Sequence, residues 1–449
     1  MQQLWCEHAW LGGDSLSCGV ALSIVNGVFT DVSVVDGPPP DAEAIRGVVI
    51  PGFANAHSHA FHRALRGRTH GGEGSFWTWR EQMYSIAARL TPDSYRALAT
   101  ATFGEMVRCG YTAVGEFHYL HHAPGGVAYA DPNAMGAALI EAARIAGIRL
   151  TLLDTCYLRG GFNAVVNDAQ RRFSDGTVDA WFSRHEALSS AGLGPTVRLG
   201  AAIHSVRALG FEEMKEVASW SVQTGGPLHA HVSEQPAENE SCLAHTGRTP
   251  SQLLVDAGAV TDRFCAVHAT HLSGDDIAAL GSARATACFC CTTERDLADG
   301  IGPSRALVDA GARLSIGSDS HAVIDPFEEI RGIESHQRLT MNVRGVHRPS
   351  ELMLAGSSDG YASIGWNGGR LAVGAVADLA VIDPSSLRLA GSNVHDVASI
   401  VFGASGPDVA HVMVDGRWVV RDGVHVSIDV PRALQHSIDA LWLEPGSMA

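Results

Sequence analysis

Eight short apolar runs, separated by segments of helical periodicity, constrain this chain more than any other feature. They are VVIPGFANAH (48–57), TAVGEFH (112–118), RLTLLDTCY (149–157), VRLGAAIH (197–204), PLHAHVSE (227–234), FCAVHATH (264–271), ATACFCCTTE (285–294) and RLSIGSDSH (313–321). Strand-length runs that alternate with amphipathic helical segments are the pattern of βα units, and eight units predict a (β/α)8 barrel over residues 49–370. The helices carry their own punctuation. In TPDSYRALATATFGEMVRCG, Thr91 stands at the N-cap, Pro92 in the first turn and Gly110 at the stop, and DPNAMGAALIEAARIAG repeats that grammar.

The two ends of the chain have a different texture. Residues 1–48 hold short alternating runs, VALSIVNGVF and TDVSVVDG, broken by Gly, Asp and three consecutive prolines. Residues 371–449 return to the same composition in VADLAVIDP, ASIVFGA and VAHVMVDGRWVVRDG, β-branched runs with turn residues at hairpin spacing. Both ends are expected to build one small β-sandwich domain together.

In a (β/α)8 barrel the chemistry gathers at the C-terminal ends of the strands, so polar residues placed there carry the functional signal. His57-Ser58-His59 ends the first run, and the period of two puts both imidazoles on one face, toward the barrel mouth. His231 lies in the fifth run, His268 in the sixth and Asp319 in the eighth. A nitrogen-and-oxygen set of this kind suits Zn²⁺, and it points to a metal hydrolase. Glu234, three residues beyond His231, is placed to shuttle protons to and from the same water. The CFCC cluster at 288–291 has Cys288 and Cys290 one strand period apart in an apolar run, which reads as core packing.

Charge and composition narrow the classes further. With 32 Lys+Arg against 48 Asp+Glu the formal charge is −16, which argues against a nucleic-acid-binding protein. No run approaches the roughly 18 apolar residues of a membrane span, and the start, MQQLWCEHAW, lacks a basic region followed by an apolar stretch, so a soluble, cytoplasmic protein is expected. Scattered cysteines inside apolar runs are expected to be reduced and buried. The single lysine, Lys215, sits in GFEEMKEV, a surface-helix pattern remote from any Schiff-base or metal-bridging role.

These residues, with their surroundings, resemble the formimidoylglutamate deiminases of the amidohydrolase superfamily. The likeness runs through PGFANAHSHAFHRAL, SFWTWREQMY, EFHYLHH, HVSEQ, VHATHL, TTERDLADG and GSDSH followed by PFEEIRGIESHQRL, most of the barrel. The resemblance implies one Zn²⁺ per subunit, held by His57, His59, His231 and Asp319, with iron or manganese able to use the same ligands. It implies that His268 hydrogen-bonds the bound water, that Glu234 does acid/base work and that Asp319 accepts the water proton. Superfamily members with two metals bridge them by a carboxylated lysine after the fourth strand. Here that region reads AAIHSVRAL and holds none.

The resemblance further implies hydrolysis of N-formimidoyl-L-glutamate to N-formyl-L-glutamate and ammonia, a step of histidine degradation, by a homodimer. A dicarboxylate amidine on a chain of this charge needs local cations, and Arg80 and Arg207 are candidate clamps. Tyr119 and His204 are the further substrate contacts so implied. His118, His121 and His122 have no assignable role and read as solvated or supporting residues. Two departures stand out: His62 occupies the position of an expected substrate-contacting glutamine, and Cys291 stands where proline is expected. Two other readings remain open at this point. One is a deaminase of a related amidine, guanidino acid or heterocycle, and the other is a metal-free barrel acting as a scaffold.

Overall fold

The apolar runs of the chain's middle close into a ring of parallel strands, and the runs of its two ends pair with each other outside that ring. The computed structural model describes residues 1–69 and 76–443. Strands β1 (Gln2–Ala9), β2 (Ser17–Val25), β3 (Val28–Val34) and β4 (Glu43–Pro51) come first. The barrel follows with β5 (Phe53–Ser58), β6 (Tyr111–His118), β7 (Arg149–Cys156), β8 (Val197–Ile203), β9 (Leu228–Val232), β10 (Phe264–His268), β11 (Thr286–Phe289) and β12 (Arg313–Ile316). Then come β13 (Leu379–Ile382), β14 (Val409–Val414), β15 (Arg417–Arg421) and β16 (Val424–His425).

Strands β5 to β12 pair in sequence order. A parallel bridge between Ser58 and Asp319 joins the last unit to the first, with the Asp319 amide donating to the His57 carbonyl at 3.0 Å. Alternate strand positions, Ala54, Ala56, Ala113, Cys265, Val267, Cys288 and Cys290, fill the ring and meet Tyr361, Ile364 and Trp366. Cys288 and Cys290 therefore pack inside the barrel, as expected, while Cys291 packs outside it against the helix that carries Gly332. Helices cover the outer face of the strands. The helix Pro92–Arg108 starts on a reciprocal Thr91/Ser94 capping box with Pro92 in its first turn, as the sequence predicts. In DPNAMGAALIEAARIAG the helix begins later, at Ala134, and stops at Gly147 in the left-handed conformation.

The strands of the two ends form one hydrogen-bonded sheet in the order β16-β15-β14-β13-β4-β1-β2-β3, curled around its own core of Leu4, Val20, Leu22, Phe29, Ile45, Leu379 and Met413. Three details differ from the sequence reading. The run at 48–57 is two strands, because β4 continues the outer sheet to Pro51 and the barrel starts only at Phe53. The pairing of β1 with β4 is parallel. ASIVFGA is a helix, Val397–Gly403, because Asp396 accepts a hydrogen bond from the Ala398 amide at its N-terminus and the capped turn outweighs the β-branched composition. Beyond β16, the helix Val430–Trp442 leaves the sheet and docks on the barrel, where Trp442 Nε1 donates to the Ala64 carbonyl at 2.9 Å.

A buried bidentate pair ties the two bodies together. Arg149 donates to both oxygens of Asp378, at 2.6 and 3.1 Å, and Tyr361 donates its hydroxyl to the same carboxylate at 2.7 Å. Among the described residues no helix is long and apolar enough to cross a membrane.

Candidate metal centre and cavity

The first two donors owe their direction to a bulge. Asn55 pairs with Val114 but Ser58 with Glu116, so β5 carries one extra residue between them. That slip re-aims the strand: Ala54 and Ala56 point inward below it, and His57 and His59 point inward above it. Ser58, on the opposite face, donates to Glu116 at 2.6 Å and lies 3.3 Å from His321 Nε2, while Glu116 also accepts from the Ala60 amide at 2.7 Å. Asn55 and Ser318 exchange hydrogen bonds of 2.6 and 3.0 Å. The His-x-His turn is thus bolted to both neighbouring strands.

The imidazoles are oriented from behind. His59 Nδ1 donates to the Phe117 carbonyl at 2.9 Å and His231 Nδ1 donates to the His204 carbonyl at 2.8 Å, which leaves each Nε2 a bare lone pair aimed into the barrel. His57 Nε2 lies 3.2 Å from His231 Nε2 and 3.2 Å from Asp319 Oδ1, and His59 Nε2 lies 3.5 Å from the same oxygen. Zinc bonds of roughly 2.0–2.1 Å to N and O in a tetrahedron require ligand separations of about 3.3 Å. The donors fit one ion of that size. His268 joins the same cluster through His57 and His231.

Protonation matches the geometry. Burial and the neighbouring imidazoles hold His59 and His231 well below the usual histidine range, so both are neutral. Burial opposes ionisation of Asp319, yet its hydrogen bond with His57 and the imidazoles around it hold the carboxyl well below its ordinary value. Neutral imidazole and ionised carboxylate are the forms that bind a metal. Backbone strain gathers here too: His268, Ala269 and Asp319 have φ of 68°, 49° and 40°, a region costly for residues with a side chain.

Glu234 and His268 form the second layer. Glu234 Oε1 lies 3.7 Å from His268 Nε2, and Glu294 Oε1 lies 3.6 Å from His268 Nδ1. Burial pushes the Glu234 carboxyl up to about 7, with Asp319 and Glu238 adding to the effect and His268 and Arg207 opposing it. Burial also penalises a charged His268, but the carboxylates of Glu234 and Glu294 on either side hold it well above the usual range. Sequence alone does not mark Glu294 or Glu238 as part of this layer. Glu238 takes Arg207 Nε at 3.2 Å and the Glu234 amide at 3.1 Å, so it sets both residues. Its signal was available, four residues after Glu234 in the first turn of the helix Pro236–Thr246.

The five residues expected to contact substrate, His62, Arg80, Tyr119, His204 and Arg207, line one cavity together with His59, His231, Glu234, His268 and Asp319. His62 Nε2 lies 3.1 Å from the Tyr119 hydroxyl, and burial lowers its ring to about 3, so it is a neutral hydrogen-bonding group. Arg80 lies over the ring of Tyr84 at 5.4 Å. Tyr84, Tyr157 and Phe173 complete an aromatic wall that the sequence did not announce, since they come from separate loops and helices. His118, His121 and His122 stand elsewhere, and they are buried, not solvated. His121 Nε2 donates to the Thr155 carbonyl at 2.9 Å, and His122 pairs with Asp175 at 2.9 Å. They belong to a network in which Arg184 bonds Asp154 at 2.7 Å and Asp175 at 3.0 Å.

A closed barrel with a buried His/Asp cluster at its mouth, its donors spaced to hold a single metal ion, defines a metal-dependent hydrolase acting on a C–N bond. The chain belongs to the amidohydrolase family, whose model matches residues 48–419. It is 38% identical over 412 residues to a formimidoylglutamate deiminase of Pseudomonas aeruginosa, covering 89% of this chain and 90% of that one. It is 27% identical over 402 residues to a 5-methylthioadenosine/S-adenosylhomocysteine deaminase of Halobacterium salinarum, covering 87% and 86%. Among solved structures, an amidohydrolase from Brucella melitensis superposes with a TM-score of 0.88 at 32% identity, over 99% of this chain and 100% of that one.

Proposed function

We propose that this chain hydrolyses N-formimidoyl-L-glutamate to N-formyl-L-glutamate and ammonia, with His57, His59, His231 and Asp319 holding one Zn²⁺. The observation that carries this reading is the sharing of one cavity by His59, His231 and Asp319 of the metal cluster, two arginines and the Glu234/His268 pair. The 38% identity to a formimidoylglutamate deiminase over nearly the whole chain supports it.

When bound, zinc supplies Lewis acidity, lowering the pKa of a coordinated water to about 7. Asp319 accepts a proton from the attacking water, and His268 steadies the oxygen that adds to the amidine carbon. Glu234, poised near neutrality, gives a proton to the departing nitrogen and regains one from the new hydroxyl, while the proton held by Asp319 passes to the same nitrogen as ammonia leaves. The balance is one water in, one C–O bond formed, one C–N bond broken and one ammonia out. Arg207 and Arg80 bind the two carboxylates, and Tyr119, His204 and His62 position the formimidoyl arm.

His62 favours a neighbouring reading as well, a related amidine as substrate, because imidazole has different reach and donor count from the glutamine it replaces. Ammonia release from zinc-loaded protein separates the two. N-formimidoyl-L-glutamate, N-formimidoyl-L-aspartate and guanidino acids are compared side by side. Fast release from the glutamate compound, with N-formylglutamate as product, is expected, and activity confined to another compound overturns the substrate assignment. Light scattering checks the homodimer that the family resemblance implies.

A further inference from the structure

The outer sheet carries a second cluster of metal donors, far from the barrel mouth in sequence and formed from both ends of the chain. His8 and Cys18 are directly paired across the antiparallel strands β1 and β2, so their side chains share one face. His395 reaches the same point from a turn near the C-terminal end. Cys18 Sγ lies 3.5 Å from His8 Nδ1 and 3.8 Å from His395 Nδ1, and all three donor atoms lie within 4.8 Å of one another. The rings of His8 and His395 meet edge to face at 5.4 Å.

These distances suit a shared ion as well as they suit weak thiol–imidazole hydrogen bonds. With Zn–S of roughly 2.3 Å and Zn–N of roughly 2.0–2.1 Å, a tetrahedral centre separates sulfur and nitrogen by about 3.6 Å. The position of His395 is also fixed by its backbone. The Leu16 amide donates to the His395 carbonyl at 3.0 Å and the Val397 amide to the Asp14 carbonyl at 3.1 Å, while Ser15 bridges Asp396. Asn393 Oδ1 accepts from the His395 amide at 3.1 Å and closes the turn. The third donor is therefore delivered by main-chain pairing on both sides of it.

We propose that His8, Cys18 and His395 form a separate site for a soft or borderline divalent cation, Zn²⁺ in the first instance. Thiolate with two imidazoles is a set that selects such ions over Mg²⁺ or Ca²⁺. Cys18 and His395 are exposed and His8 half-buried, so a fourth coordination position faces solvent. Bound there, it fastens the β1–β2 pair to the turn before the helix Val397–Gly403, joining the two ends of the chain.

The test uses the full chain with its barrel centre first loaded with one equivalent of Zn²⁺, then titrated with Co²⁺. One equivalent of Co²⁺ is expected to bind with a thiolate-to-cobalt charge-transfer band, and the band is expected to vanish in C18S while ammonia release is unchanged. His395→Ala is expected to lose the same equivalent, which guards against an effect peculiar to the serine variant. A wild-type chain that shows no such band, or a C18S chain that keeps it, overturns the proposal.

Discussion

Nε2 of His231 faces Nε2 of His57 across 3.2 Å, two imidazole nitrogens held at a separation suited to a shared ion. An ion that binds the native state alone stabilises it, by about 2.7 kcal/mol at a hundredfold excess over Kd. Chelation is therefore expected to abolish ammonia release and lower Tm, with one equivalent of Zn²⁺ restoring both. His231→Ala is expected to show the same deficits without rescue. Thermal melts and assays before and after dialysis against chelator check this.

Glu234 touches His268 and stands outside the first ring of donors. Its replacement by Gln keeps the shape and removes the proton. E234Q is expected to retain zinc while kcat falls by about 10²–10⁴-fold, the usual worth of a general acid/base. Metal analysis alongside steady-state kinetics separates this from loss of the ion.

Arg207 donates to Glu238 while lining the cavity. Arg207→Lys keeps a cation opposite Glu238 but removes the planar fork that grips a carboxylate. KM for the dicarboxylate is expected to rise by roughly tenfold or more, in line with about 1.5–3 kcal/mol for a hydrogen bond to a charged group. The change in kcat is expected to be small.

Gly317 lies where β12 passes behind His57, and a Cβ there would come within 2.8 Å of the His57 Cβ and 2.9 Å of its carbonyl. Backbone does not yield easily to such a contact. G317A is expected to cost about 1–3 kcal/mol through overpacking and, by displacing His57, to lower zinc content. Urea unfolding and metal analysis measure the two effects on one preparation.

Arg184 supports Asp154 and Asp175 in the buried network described above. Burial alone would raise both carboxyls. Arg184 and the neighbouring histidines more than offset it and hold them well below 3.8. Groups with depressed folded values contribute stability above their unfolded value, and that stability is lost as pH falls through the folded values. Arg184→Met is expected to cost about 3–5 kcal/mol at neutral pH, since it strands buried carboxylates. The gap to the native chain is expected to narrow below about pH 4. Denaturation curves at several pH values test the sign.

The barrel could be read from sequence because its strands are short, largely apolar runs buried along most of their length, and the site because its donors stand at or just beyond the ends of those runs. Spacing of two put His57 and His59 on one face, but which face was decided by the bulge between Asn55 and Ser58, which leaves no mark in composition. The helix at Val397–Gly403 was hidden by its β-branched residues, although Asp396 just ahead of it was a capping signal. The Arg184 network was opaque for a different reason. Its members come from distant segments, and charged residues are read as exposed until a partner is seen. Tyr84, Tyr157 and Phe173 share that difficulty, because a wall assembled from three segments has no linear pattern.

The bridge between Ser58 and Asp319 carries a consequence for how the protein matures. Two of the proposed zinc ligands stand at the end of the first strand of the ring and another just after the last, so the donor set is complete only when the circle shuts. Capture of the ion by its full donor set would then report that the whole barrel has been synthesised and assembled, since a nascent chain lacking its final unit would be without the one carboxylate among the proposed ligands.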